Sequence, residues 1–483
     1  MRKPGRLRAG KWLRLASLLA GLGVVAGCPA TADQVAPPAY DFYFPTGLVL
    51  SPDERYMFVL SANSDLQFSS GAVQVIDLDV IDQIADSWKD SPLDARVAPD
   101  QCSAPDFGPV PTRPTVLACP TSVDGAPVSG VVANAGIQIG SFGVSAAVQP
   151  LLNGDGSASS LVRLFFTVRG DPSITWADFD TGTVQLDCGG VAGGFDRCDE
   201  AHRLARIRND GDLPSLSTEP FGLAIDAVGQ HGYVTHLTTG TVSLIAAPNQ
   251  VGSFPVLADE VSNLWGISIL NGTLGSVGVA ARTPGDPDGL VYVTSQSEAR
   301  VSMVHAVDHG VDENGLPLES LIRTGSFFLD GLTSAGDPGD ARTIAFSPDG
   351  NRAYFISRTP PSLQAFDTSL DSTGAPRNLP MGVLELCEQP ANLSLVDFGE
   401  GPRAVLPCFQ TGRLWVVDTD HMSLVAVEDT GRGPSGIATS VRHKKIYVGN
   451  YAEDTLTIID AAPGAATQYR SIMRLGKLRV VGN

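Results

Sequence analysis

The 483-residue chain lacks most of the patterns by which enzymes show themselves in sequence. Its seven histidines form no His-Glu-x-x-His pair, and there is no Gly-x-Ser-x-Gly elbow, Walker loop or Cys-x-x-Cys spacing. Those absences remove the signatures of zinc peptidases, α/β-hydrolases, P-loop NTPases and thioredoxin-like redox proteins. No metal and no cofactor is therefore expected. Basic residues are scarce as well: 33 Lys and Arg stand against 52 Asp and Glu, a net charge of −19. An acidic body of this kind argues against nucleic acid as a partner and against docking on an anionic bilayer through the protein surface. The apolar stretch from Leu15 to Ala26 is about a dozen residues, too short to cross a hydrocarbon core of ~30 Å comfortably.

That stretch follows six basic residues, Arg2 to Arg14, with no acidic one among them. The pattern is a signal peptide and stands outside the fold. It ends in Val25-Ala26-Gly27-Cys28, which resembles the lipobox of bacterial lipoproteins. The resemblance implies cleavage before Cys28, lipid on its sulfur, and attachment to a membrane of the cell envelope, periplasmic or surface-facing. More than one acyl chain gives stable anchoring where a single chain is marginal. Residues 28–39 hold three prolines and no apolar periodicity, and read as a flexible tether. Removing residues 1–27 removes six positive charges and takes the formal charge from −19 to −25.

Six further cysteines remain: Cys102, Cys119, Cys188, Cys198, Cys387 and Cys408. In an exported chain an even number reads as disulfides. Sequence proximity favours 102–119, 188–198 and 387–408.

A self-similar unit runs through residues 40–483. Its clearest copies are PTGLVLSPDERYMFVLSANSDLQFSSGAVQVIDLD (45–79), EPFGLAIDAVGQHGYVTHLTTGTVSLIAAP (219–248) and PSGIATSVRHKKIYVGNYAEDTLTIIDAAP (434–463). Further copies lie at 341–369 and 390–420. Two stretched ones begin at IGSFGVSAAV (139–148) and LWGISIL (264–270), which makes seven. Apolar and β-branched residues alternate over short runs, and Ser-Pro-Asp turns separate them. Each unit supplies three strands and a following segment a fourth. Seven such units around an axis predict an all-β fold, a seven-bladed β-propeller of four-stranded antiparallel blades. Tyr447-Val448-Gly449-Asn450, Tyr292-Val293-Thr294-Ser295 and Tyr233-Val234-Thr235-His236 resemble the YVTN-type repeat of YncE-like propellers. That resemblance implies the propeller fold and leaves function open, because propellers host unrelated activities.

Insertions are expected at about 80–130, 149–162 and 181–203, on a decorated face near blades 1 and 2. Residues 80–90 have apolar positions at helical spacing, which suggests a short helix. The opposite face carries short polar loops around a central funnel, a usual site for propeller ligands. Its candidate ligand residues are Asn63, Asp65, Arg169, Asp171, His236, Arg358, Gln410 and Asn450. Asp308, His309, Asp312 and Glu313 cluster in DHGVDENG, but the EF-hand spacing fails and a solvated loop is the simpler reading. The expected function is a non-enzymatic, lipid-anchored scaffold that binds an envelope protein or polymer. The alternative is a funnel-located hydrolase of the lactonase type, which rests on fold analogy alone.

Overall fold

The structure is a computed structural model. It describes residues 35–478 apart from 92–96, 100, 104–115, 192, 206–214, 227, 263, 266–274, 283–288, 314, 316 and 330–338. The lipobox, Cys28 and most of the tether lie outside the described residues.

The chain forms seven sheets in a ring, each with antiparallel strands that pair in sequence order from the axis outward, apart from one added outer strand on blade 7. The innermost strands are Pro45–Leu50, Gly143–Leu152, Pro220–Ile225, Ser276–Ala281, Ala341–Phe346, Ser394–Asp397 and Pro434–Ser440. The core is correspondingly divided. Seven buried apolar clusters exist among the described residues, one between each pair of neighbouring blades. Period-two alternation produces this. On strand Tyr56–Ser61, Tyr56, Phe58 and Leu60 pack towards blade 2, while Met57 and Val59 pack towards blade 7. Both faces of the strand are apolar because both are buried.

The inner strands approach each other closely at glycines. A Cβ on Gly222 would lie 2.2 Å from the carbonyl oxygen of Val277 in the next blade, and one on Gly436 would lie 2.6 Å from that of Thr46. Threonines then sew the ring. Thr235 Oγ1 donates to Val277 O (2.7 Å), and Thr167 Oγ1 donates to Phe221 O (2.9 Å).

Four details depart from what the sequence led us to expect. The first strand of blade 4 is Ser276–Ala281 rather than 264–270. Leu264 and Trp265 are buried beside it, with Trp265 Nε1 donating to Ser276 Oγ (2.9 Å); 266–270 lie outside the described residues. An apolar run marks burial, not which strand is buried. Residues 149–162 largely extend a long hairpin, Gly143–Leu152 with Ala158–Val168, around a short turn. The outer strand of blade 2 is split. Gln185–Asp187 and Arg203–Leu204 both pair with Ser173–Asp180, and the chain between them is held by Cys188–Cys198. That excursion leans on blade 1, where Gln138 N donates to Asp196 O and Cys198 N donates to Gln138 O.

The largest insertion is not confined to blades 1 and 2. Asp77 caps a helix, α1 (Leu78–Asp90), by accepting from Asp79 N. Leu78, Ile81, Ala85 and Trp88 form its buried stripe, against blades 1 and 7. Further on, Leu117–Cys119 adds a fifth, parallel strand to the outer edge of blade 7, beside Arg470–Gly476. Cys102–Cys119 pins that strand. The third disulfide, Cys387–Cys408, joins the end of blade 5 to the second strand of blade 6.

Candidate functional site

The innermost strands and the loops between second and third strands surround an axial cavity of ≈ 690 Å³. All seven blades contribute to it, and its mouth opens on the face with short loops. Half-buried aromatics line the wall: Phe142, Phe221, Phe409 and Tyr451. Three arginines interrupt them, Arg169, Arg342 and Arg358. The described lining holds no histidine and no carboxylate.

The arginines differ in how they are compensated. Arg169 follows directly on the second strand of blade 2 and is ion-paired with Glu219. Arg342 is held by Asp340 at 2.5 Å through Nε and 3.0 Å through Nη2. Arg358 ends strand Arg352–Arg358, and its Nε donates to the backbone carbonyl of Pro390 in blade 6 (2.9 Å). Among the described residues no carboxylate forms an ion pair with it. Burial, aided by Arg342 alongside and opposed by Asp340, lowers the Arg358 guanidinium to about 10. It stays cationic at neutral pH. The wall therefore carries three cations, two of them paired with carboxylates outside the lining (Glu219 and Asp340), which leaves a local charge of +1 in a chain of −19.

No family model matches the chain. No curated protein matches it either. Among solved structures it is similar to a periplasmic gluconolactonase of Pseudomonas aeruginosa, at 13% identity over 81% of this chain and 86% of that one, with a TM-score of 0.49. It is also similar to a protein from Lactobacillus plantarum, at 17% identity over 71% of this chain and 89% of that one, with a TM-score of 0.42. A third is the Cps50 (Swd1) β-propeller domain of Myceliophteria thermophila, at 8% identity over 87% and 95%, with a TM-score of 0.47. Likeness at this level concerns architecture and transfers no activity to this chain.

Of the eight candidate ligand residues, the cavity wall includes Arg169 and Arg358. Asp65 and Gln410 are exposed on loops outside that wall, and Asp171 is engaged by Arg197 and Arg203. Asn63, His236 and Asn450 are fully buried. Asn450 Nδ2 donates to Thr455 Oγ1 and Thr457 Oγ1 (2.9 Å each), and its Oδ1 accepts from Gly431 N (2.9 Å). His236 occupies the equivalent place in blade 3, between Ser243 Oγ (2.7 Å) and Thr218 O (3.2 Å). Burial lowers its pKa, and Glu260 opposes the shift. The last position of the YVTN-like motif thus clamps the second strand to the third strand and to the entering loop. Asn63 similarly bonds Phe68 and Ser141.

Arg342 and the aromatic ring carry no motif. Their signal in sequence was positional: each sits at the start of an inner strand or the end of a second strand. His305 and His309, a His-x-x-x-His spacing, would share a helix face. They lie instead on the extended strand Arg300–Val311, where four residues span about 13 Å. The described residues contain no group of three or more His, Cys, Asp or Glu placed to hold a metal.

Proposed function

We propose that this protein is a non-enzymatic binding protein of the cell envelope, tethered through lipid on Cys28, whose ligand enters the axial funnel. The observation that carries the reading is the wall itself: half-buried aromatics and arginines from several blades converge on one cavity of ≈ 690 Å³. That volume falls in the range of small-ligand sites, which combine apolar walls with a few placed polar groups. Three disulfides support an oxidising compartment. The hydrolase alternative would need an acid or base in the funnel, and the described wall offers none.

Ser64 lies at the mouth, so Ser64→Trp should plug the funnel while leaving the ring intact. Protein purified from its own envelope should release, on denaturation, a compound that the Ser64→Trp protein does not carry. Identical extracts from the two proteins would end the funnel reading. The anchor is tested separately: palmitate labelling should disappear in Cys28→Ser.

A further inference from the structure

The buried and half-buried cations among the described residues fall into two groups. Most are closed by the protein itself. Arg163, 1% exposed, is bound by Asp178 at 2.8 and 3.0 Å, donates to Ser253 O and stacks on Trp176. Lys445, 2% exposed, meets Asp82, Asp86 and Asp460. Both are neutralised where they stand by carboxylates of the protein. Arg358 is the exception on the cavity wall. One neutral carbonyl holds its Nε, and the nearby Asp340 is already committed to Arg342.

Resting on the funnel reading above, we propose that Arg358, with Arg342 beside it, seats the carboxylate of a ring-bearing monoanionic ligand. Three observations fix the class. A guanidinium presents a planar fork that matches an oxyanion in bidentate fashion. Anchoring Nε on Pro390 O holds that fork in place before the ligand arrives. Once Glu219 and Asp340 behind the lining are set against Arg169 and Arg342, the wall has one positive charge left, which a single negative charge neutralises and a dianionic phosphate would exceed. Phe409 and Tyr451, whose ring centroids lie 6.1 Å apart, continue the same wall into blades 6 and 7 and give the ligand's ring an apolar face.

Calorimetry on the full mature chain tests this with benzoate, 2-naphthoate and cyclohexanecarboxylate, their neutral carboxamides, and phenyl phosphate. At least one carboxylate should bind more than tenfold tighter than its carboxamide and tighter than phenyl phosphate. Arg358→Gln should weaken it about tenfold or more, and Ser64→Trp should abolish it. The carboxylate–carboxamide comparison uses the unmodified chain, so it stands even if a variant does not fold. No carboxylate binding at all, equal binding of acid and amide, preference for phenyl phosphate, or binding indifferent to Arg358→Gln in a folded protein would each overturn the assignment. Neutral probes bound by the unmodified chain and lost in Ser64→Trp would overturn the carboxylate seat and leave the funnel reading standing.

Discussion

At the residue scale, side chains that look available in sequence are mostly consumed by the fold. Asn450 and His236 are polar residues near loops, which is the usual appearance of a ligand contact. The structure buries both, because a strand shared between two blade interfaces has no solvent face and its polar groups must bond inward. Asn450→Ala should strip Gly431 N of its partner and cost roughly 2–3 kcal/mol. A lowered midpoint in urea with an unchanged slope checks this, and an unchanged midpoint would refute the clamp. His231 offers a pH test. Its Nδ1 lies 2.8 Å from Asp226, and its Nε2 lies 3.3 Å from Glu319 on the next blade. Burial alone would lower its pKa, but the two carboxylates outweigh burial and raise it to about 9. A raised histidine stabilises the folded state fully below its unfolded value of about 6.5 and loses that contribution as pH climbs through about 9. Wild type should therefore exceed His231→Gln by roughly 2–3 kcal/mol at pH 6. The gap should close by pH 10, and a gap independent of pH would refute the ion pair.

At the element scale, strands were legible where alternation met a turn signal, as at Ser51-Pro52-Asp53 and Ser347-Pro348-Asp349. Helix α1 was legible because Ile81, Ala85 and Trp88 recur at helical spacing. The split outer strand of blade 2 was not, because two or three residues carry no measurable period and a disulfide excursion separates the pieces. The blade 4 strand was misplaced because an equally apolar segment precedes it. Inner-strand glycines carry a different kind of information. Pro-x-Gly recurs at 45–47, 220–222 and 434–436, and in blades 3 and 7 the glycine marks a backbone contact with the next inner strand. Because the obstructing atom at Gly222 is a backbone oxygen 2.2 Å away, no side chain can move aside. Gly222→Ala should cost about 3 kcal/mol or more, or prevent folding. Thermal unfolding checks it, and a near-native midpoint would mean that blades 3 and 4 can separate without loss.

At the scale of the whole molecule, the question the repeats leave open is how the ring closes. Seven units explain seven sheets, but nothing in a repeat says what joins the last to the first. Blade 7 takes its four antiparallel strands from the C-terminal sequence alone, and the one strand that crosses the seam is Leu117–Cys119, from the insertion between the third and fourth strands of blade 1. Around that strand the seam is closed by side-chain contacts between the first and last repeats and by residues just outside them. Phe42 is buried at the seam, Phe44 N donates to Asp454 Oδ1 (2.7 Å), and Glu54 accepts from Ser440 Oγ and Arg442 N (2.7 Å each). His443 bridges Asp82 of α1 and Glu54 O (2.9 Å each). Outside these contacts lies the clasp, Leu117–Cys119 paired with Met473–Leu475 and fixed by Cys102. A two-cysteine link over 17 residues restricts the unfolded chain by about 3 kcal/mol. Its local effect should be larger than its global one, because a three-residue parallel strand cannot hold an edge unaided. Replacing Cys102 and Cys119 together by serine should therefore raise amide exchange first along Arg470–Gly476, while Tyr233–His236 and Val291–Ser295 across the ring stay protected until global unfolding. Uniform loss of protection around all seven blades would mean that the seam is no weaker than any other interface, and that the clasp has no part in closing the ring.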